Sequence, residues 1–455
     1  MKIVIVGAGK VGVALTRHLA VENKVTVIDQ NPHLVENIIN IYDVMGVCGN
    51  GASYDVQKEA DVEQADLLIA TTSSDEINIL TCLVAKKMGV QHTIARIRSP
   101  EYGRQLRFMR SELGLSMAIN PEAATAREIA RVLRFPTAMK LESFSKGRLE
   151  LVEYRVAEHT ALDGTRLSEL YRNFKVRVLI CAVARQGETI IPSGDFTLRA
   201  GDKIYLTAAP RDLEKFFRLL GVFRARASSV MIVGASKMCY YLASELLEMG
   251  MSVKIIDQNE QRCVDMSERL PRALVIVGDG TDSELLSEEG ISQTDAFVAI
   301  TGLDEANILM ALSAAKQSGD CCKVVAKINR KSLLDLVSTE SLIDSVVSTG
   351  AVTTELILQY IRAMKNASAS KVKTLHRIVD EKVEALEFSV TPDIPFAGVP
   401  LRDLNLKRGL LLAGIVRQNG QIVIPSGNDV LHLHDDVIVV TTDTQLEDLR
   451  DILAE

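Results

Sequence analysis

The sequence predicts an α/β protein built twice over: a doubly wound parallel-sheet domain, then a small α+β domain, then the same pair again. Three observations predict this. Short, continuous, β-branched runs alternate with helix-period segments through the first 120 residues. A glycine-rich turn joins the first run to the first helix, and an acid closes the second run. The whole plan then recurs in the second half of the chain.

Ile3 to Val6 is short, apolar and β-branched, and reads as a strand covered on both faces. Gly7-Ala8-Gly9-Lys10-Val11-Gly12 follows at once. Gly7 suits the tight turn, Gly9 the approach of backbone to a pyrophosphate, and Gly12 close packing of helix on strand. The helix, expected over Val13 to Leu19, turns its unpaired amides and its dipole toward any phosphate held in the turn. A strand over Val25 to Ile28 delivers Asp29 about 20 residues on, where an acid accepts from ribose hydroxyls. Strand, glycines, helix, strand and acid together describe a Rossmann-like site for a dinucleotide or an adenosine nucleotide.

Further strands are expected at Val44–Cys48, Leu67–Ala70, Thr93–Ile97 and Met117–Ile119, with helices between them such as Ile77 to Met88. Ligands of open sheets sit beyond the carboxyl ends of the strands. Gly49-Asn50-Gly51, Thr71-Thr72-Ser73-Ser74-Asp75, Arg96 and Arg98 therefore ring the same crevice as the glycine turn. The hydroxyl and arginine residues have a second reading. Thr72 and Ser73 either contact a ligand or bond locally to backbone. Arg96 and Arg98 take up phosphate charge, or form ion pairs or a subunit contact. Asn120-Pro121-Glu122 opens a helix running to about Arg134, which Phe135-Pro136 ends.

From about residue 141 short alternating strands appear: Leu149–Val156, Val176–Ala184 and Lys203–Thr207. Turns at Asp163-Gly164, Gln186-Gly187, Ile191-Pro192-Ser193-Gly194 and Ala200-Gly201-Asp202 separate them, and a helix from Arg211 to Leu220 closes the unit. Then the plan restarts at Val230. Asp257-Gln258-Asn259 repeats Asp29-Gln30-Asn31, Gly278-Asp279-Gly280 repeats Gly49-Asn50-Gly51, and Ile424-Pro425-Ser426-Gly427 repeats the Ile191 turn. Expected boundaries are 1–140, 141–226, 227–368 and 369–455, with Lys365 to Lys373 as linker.

The halves are unequal. The second turn reads Gly234-Ala235-Ser236-Lys237-Met238-Cys239. A side chain at 236 crowds a pyrophosphate, and one at 239 pushes helix from strand. Lys327 and Asn329 replace Arg96 and Arg98. The first site is expected to be the competent one; Asp257 either contacts a smaller ligand or lies in a solvated loop.

A net charge of −7 and no basic recognition helix argue against nucleic acid as partner, and so against a Rossmann-type transcriptional regulator. No apolar run approaches the ~18 residues of a spanning helix, and the chain opens directly on a strand. Seven cysteines without metal-ligand spacing, Cys321 and Cys322 adjacent, read as reduced core thiols of a cytoplasmic protein. His432 and His434, alternating on a strand before Asp435 and Asp436, lack a third ligand cluster, so no metal site is expected. No catalytic residue is expected either. His18, His33 and His92 fall in a helix, a loop and a strand start, and no His/Asp, Ser/Lys or Cys/His set accompanies them. The alternative, a nicotinamide-dependent oxidoreductase with an unusual substrate domain, would need such a set.

These residues resemble the bacterial TrkA proteins, regulatory subunits of Trk-type potassium uptake built from domains that regulate potassium conductance (RCK). The resemblance covers essentially the whole chain. It rests on Gly7 to Gly12, Asp29, Thr72-Ser73-Ser74-Asp75-Glu76, Ala95-Arg96-Ile97-Arg98-Ser99-Pro100 and the two Pro-Ser-Gly turns. It implies NAD(H) and ATP or ADP as ligands, with the glycine turn and Arg96 on phosphate, Asp29 on ribose and Thr72-Ser73 along the nucleotide. It further implies a ring-like homotetramer on the cytoplasmic face of a potassium-translocating membrane subunit. The second turn departs from the pattern.

Overall fold

The computed structural model describes residues 1–102, 114–135, 137–222, 227–319, 322–337, 343–366, 372–379, 382–443, 446 and 448–454. The chain divides into two compact units, Met1–Ala130 with Ser228–Leu356, and Arg131–Ala227 with Ile357–Glu455. The first unit contains two parallel sheets and the second two antiparallel sheets.

The first parallel sheet comprises β1 (Lys2–Val6), β2 (Lys24–Asp29), β3 (Met45–Cys48), β4 (Leu67–Ala70), β5 (His92–Arg96) and β6 (Met117–Ile119). Its order is β3-β2-β1-β4-β5-β6, so the winding reverses between β1 and β4. Ile3 to Val6 are at most 3% exposed, as a strand covered by helices on both faces must be. The helices of this part of the chain are α1 (Lys10–Leu19), α2 (Pro32–Ile41), α3 (Tyr54–Glu59), α4 (Asp75–Lys87) and α5 (Pro121–Arg134). On α1, Val11, Leu15 and Leu19 repeat every four residues and are buried together. On α5, Asn120 caps the first turn by accepting from Ala123 N at 2.8 Å.

The first small sheet joins β7 (Lys140–Phe144), β8 (Leu149–Arg155), β9 (Leu179–Arg185), β10 (Glu188–Ile190) and β11 (Lys203–Ala208) in the order β10-β9-β11-β8-β7. Helices α6 (Leu170–Phe174) and α7 (Pro210–Leu219) accompany it. Leu213, Phe216 and Phe217 of α7 pack into the core formed by Val152, Ile204 and Leu206.

The second parallel sheet repeats the first: β12 (Ser229–Val233), β13 (Ser252–Asp257), β14 (Leu274–Val277), β15 (Ala296–Ala299), β16 (Lys323–Lys327) and β17 (Ser345–Val347), in the order β14-β13-β12-β15-β16-β17. Its helices are α8 (Lys237–Glu248), α9 (Glu260–Arg269), α10 (Ser283–Glu288), α11 (Asp304–Ser318), α12 (Lys331–Val337) and α13 (Thr349–Asn366). The last sheet holds β18 (Val372–Ile378), β19 (Val383–Ser389), β20 (Leu410–Val416), β21 (Ile422–Val423) and β22 (Asp436–Thr441), in the order β18-β19-β22-β20-β21. Within the second unit the two small sheets share a core. Phe144, Leu149 and Cys181 of one cluster with Val383, Ala385 and Val440 of the other.

Several expectations need correction. The first helix begins at Lys10 rather than Val13, because Gly9 already accepts from Val13 N at 2.9 Å. The strand expected from Val176 begins at Leu179; Lys175 is left-handed (φ 53°) and Val176 packs into the core instead of pairing. Two edge strands, Lys140–Phe144 and Glu188–Ile190, went unread, since their polar residues mask the apolar alternation. His432 and His434 lie in a turn, not on a strand. Asp435 Oδ2 closes that turn on His432 N at 2.8 Å, and His434 has φ 68°. His33 sits in the first turn of α2, not in a loop. Cys48 is exposed, whereas Cys82, Cys181, Cys239, Cys263 and Cys322 are buried. The linker expected from Lys365 is still helix at Asn366, and its last residues begin β18 at Val372. Residues 367–371, Pro136 and Cys321 lie outside the described residues.

Candidate functional site

Strand register brings the sequence motifs to one edge. Val6 pairs with Ile28 and Ala70, Asp29 with Cys48, and Ala70 with Ala95. The glycine turn, Asp29, Thr71-Thr72 and Arg96 therefore meet at the carboxyl edge where the winding reverses, the usual place for a ligand in an open α/β sheet.

Two glycines are required sterically. Gly7 has φ +106°, and a Cβ there would stand 2.9 Å from Thr71 C and Thr72 N. A Cβ on Gly12 would stand 1.8 Å from Gly7 O. Gly9 differs: its backbone is extended, and a Cβ there would meet nothing within 4 Å. Gly9 is the N-cap of α1, and no side chain among the described residues caps this helix end. Gly9 and Lys10 are exposed, and the first amides of a helix have no partner within it.

Asp29 does more than close a strand. Its Oδ2 accepts from Ala8 N at 2.6 Å and its Oδ1 from Asn31 N at 2.8 Å, so the carboxylate pins the glycine turn to the end of β2. Asn50 is exposed and holds its own loop, accepting from Ala52 N at 3.1 Å.

The opposite wall is organised by a residue the sequence reading did not single out. Asn78, on α4, is fully buried. Its Oδ1 accepts from Thr72 N (2.8 Å) and Thr72 Oγ1 (2.7 Å), and its Nδ2 donates to Thr72 O (3.2 Å) and Arg96 O (2.9 Å). Asp75 acts similarly, accepting from Arg98 N (2.9 Å) and Ser99 N (2.8 Å) through Oδ2. The signal was present: Asp75 and Asn78 recur as Asp304 and Asn307 in the repeated helix start. Ser73 is exposed, and its carbonyl accepts from Arg98 Nη2.

Arg96, half-buried at the end of β5, is loosely engaged. Its Nη1 lies 3.5 Å from Thr71 O and its Nη2 3.7 Å from Glu122 Oε1. Burial draws the Arg96 guanidinium below its ordinary value, partly offset by Glu122. Among the described residues, Arg96 Nε, Arg98 Nε and Glu122 Oε2 are buried without a hydrogen-bond partner. Buried donors without acceptors are rare unless a ligand or water completes them.

In the second half the frame persists but the opening does not. Asp257 accepts from Ala235 N (2.7 Å) and Asn259 N (2.9 Å), and Asn307 bonds Thr301 and Lys327 O as Asn78 bonds Thr72 and Arg96 O. Ser236, however, stands where Gly9 does and caps α8, accepting from Cys239 N at 3.4 Å. Cys239, in the place of Gly12, is fully buried. Burial also pulls the Lys327 ammonium down.

Of the histidines named from the sequence, His33 follows Asp29 in the first turn of α2. His18 is in the last turn of α1, and His92 pairs with Leu67 at the far, amino edge of the sheet. The arrangement offers uncapped amides, a guanidinium with a free donor and a carboxylate, which is binding chemistry.

Family models match both halves: the TrkA-N domain at residues 3–121 and 230–349, and the TrkA-C domain at 151–221 and 385–454. A Trk system potassium uptake protein TrkA homolog of Archaeoglobus fulgidus is 32% identical over 453 residues, 99% of this chain and 100% of the relative. The Trk system potassium uptake protein TrkA of Halomonas elongata is 33% identical, covering 97% of this chain and 94% of the relative. Among solved structures, the GsuK channel aligns at TM-score 0.63 and 21% identity, covering 98% of this chain and 77% of that one. The GsuK RCK domain aligns at TM-score 0.62 and 20% identity, covering 98% and 93%. Two N-domain and two C-domain matches, with relatives above 30% identity along nearly the whole length, mean that the chain belongs to the TrkA family.

Proposed function

We propose that this protein is a nucleotide-sensing regulatory subunit of a Trk-type potassium uptake system, not an enzyme. In this reading NAD(H), or ATP or ADP at the same place, binds between β1 and β4 of the first parallel sheet. The observation that carries it is the uncapped start of α1 beside open space at Gly9. Gly9, Lys10, Val11 and Gly12 present helix-start amides to phosphate, with Gly7 and Ala8 forming the bend. Asp29 accepts from ribose, Arg96 supplies charge, and Asn50, Thr72 and Ser73 line the rim. Asp257 keeps its turn-holding role, and the capped second turn takes no dinucleotide.

The support from relatives is their naming as potassium uptake proteins. A neighbour of the same fold is a GsuK channel bound to NAD, at TM-score 0.62 and 20% identity, covering 98% of this chain and 77% of that one. No described helix is long and apolar enough to cross a membrane. We assign ion passage to a potassium-translocating membrane subunit, with this chain, of four segments 1–140, 141–226, 227–368 and 369–455, peripheral on its cytoplasmic face, four copies of the chain forming a ring-like homotetramer. Gating follows if one nucleotide fits the open geometry better and another the closed one; a ligand indifferent to geometry shifts nothing.

The test is Gly9→Asp. Its side chain has room and suits an N-cap, so folding is kept while a carboxylate occupies the phosphate position. Calorimetric titration with NADH and with ATP is expected to show binding to wild type, at least tenfold weaker binding to the variant, and no consumption of NADH. Unchanged affinity in Gly9→Asp would refute the site.

A further inference from the structure

The second half of the first unit has lost the open glycine turn, yet its first helix reaches the crevice of the first half. Tyr241, in the second turn of α8, donates its hydroxyl to Arg98 O at 3.1 Å and accepts from Asn120 Nδ2 at 2.8 Å. Asn120 Nδ2 also lies 3.4 Å from Arg98 O, so the three groups close a triangle. Two of its corners belong to the first half and one to the second.

The Arg98 backbone is thereby held from both sides. Asp75 takes its amide, and Tyr241 with Asn120 takes its carbonyl. Arg98 lies two residues beyond Arg96, at the end of β5, and Asn120 is also the cap of α5. Burial raises the Tyr241 phenol, so it stays protonated and able to donate. The contact is one of a set. Arg269 of α9 approaches Glu101 at 4.0 Å, and Lys327 feels both Lys10 and Glu122 electrostatically.

The triangle is also one-sided. The residue matching Tyr241 in α1 is Ala14, which has no hydroxyl to offer the second half. In the second half Asn329 Oδ1 instead accepts from Thr349 N at 3.1 Å, within its own domain.

We infer that Tyr241 is a positioning residue for the first nucleotide site: the degenerate second domain serves as a built-in partner whose hydroxyl fixes the β5 end that carries Arg96 and Arg98. This rests on the nucleotide reading above. It gives the second domain a role that does not need its own ligand. It also makes first-site affinity depend on how the two domains are docked, because moving α8 away removes an acceptor and a donor from the Arg98 corner.

The experiment uses the full-length chain and three variants, Tyr241→Phe, Tyr240→Phe and Gly9→Asp, titrated with NADH and separately with ATP. Tyr240 neighbours Tyr241 on the same helix, and its ring packs edge-on against it at 5.6 Å. Tyr241→Phe keeps the ring and is expected to weaken binding about fivefold, the scale of one or two lost neutral hydrogen bonds. Tyr240→Phe is expected to bind like wild type. Hydrogen exchange is read in parallel: nucleotide should protect residues 96–99 and 120–123 in wild type and Tyr240→Phe, and protect them less in Tyr241→Phe. A Tyr241→Phe protein with lowered melting temperature but wild-type affinity and protection has lost only a structural contact, and overturns the inference. If Gly9→Asp abolishes binding while Tyr241→Phe does not, the site stands and the inference fails. A wild-type chain with no affinity for either nucleotide overturns both.

Discussion

Ala8 N and Asp29 Oδ2 are 2.6 Å apart, and this bond joins the bend of the glycine turn to the tip of the neighbouring strand. With Asn31 N at 2.8 Å on Oδ1, both carboxylate oxygens are committed to backbone before any ligand arrives. Each oxygen keeps a second lone pair, so turn-holding and ribose contact are compatible. The second half repeats the bond between Ala235 N and Asp257 Oδ2 at 2.7 Å, although two of its glycines are gone. An acid at this position is thus explained first by the turn.

The first prediction separates the two roles. Asp29→Asn leaves the shape but keeps one acceptor oxygen, so one of the two charge-assisted hydrogen bonds is lost and the other weakened, with an expected loss of about 1–3 kcal/mol in the first unit. Asp257→Asn should lose a similar amount. Only Asp29→Asn should reduce NADH or ATP affinity. Urea unfolding gives the stabilities and calorimetry the affinities; equal affinity loss in both variants would place the nucleotide in both halves.

Asn78 and Asn307 provide a matched pair. Each is fully buried and ties a strand-end Thr to the carbonyl of residue 96 or 327. Asn78→Ala and Asn307→Ala should each cost about 3 kcal/mol, since several backbone groups lose partners at once. Affinity per folded molecule should fall in Asn78→Ala and hold in Asn307→Ala. Equal affinities in the two variants would reduce Asn78 to a packing element.

The second unit should be acid-sensitive. Glu142 Oε2 is 2.9 Å from His376 Nδ1 and its Oε1 is 2.8 Å from Lys140 Nζ. Burial works to raise this carboxyl, but Lys140 and His376 overcome it and hold the group far below the usual carboxylate range. A carboxyl depressed in the folded state contributes stability above its unfolded value, near pH ~4.3, and that contribution is lost as pH falls toward the folded value. Wild type should therefore lose stability steadily below about pH 4, and Glu142→Gln should flatten that slope while costing about 3 kcal/mol at neutral pH. Urea unfolding between about pH 5 and 3 checks it; parallel slopes for the two proteins contradict the assignment.

The parallel sheets were legible because their strands announce themselves. Runs such as Ile3 to Val6 and Leu67–Ala70 are continuous and apolar, as strands buried on both faces must be. The small sheets were less legible. Lys140–Phe144 and Glu188–Ile190 are edge strands whose polar residues resemble loop, and only pairing to β8 and β9 identifies them. The histidines before β22 looked like strand by alternation, but a left-handed backbone at His434 and the Asp435 bond at His432 N make them a turn.

Local chemistry written in the sequence determined the tandem plan, the strand-turn-helix at Gly7 to Gly12, the acid at Asp29 and the inequality of the two turns. Each follows from backbone sterics or from a repeated pattern, which neighbours in sequence suffice to set. Only the tertiary structure decided what those residues do to one another. Register brought Thr72 and Arg96 to the same buried amide of Asn78, and sheet packing set Tyr241 against Arg98, residues far apart along the chain. A hydrogen bond is decided by distances of a few tenths of an ångström between groups the chain itself does not order, so it exists only once the sheets have closed.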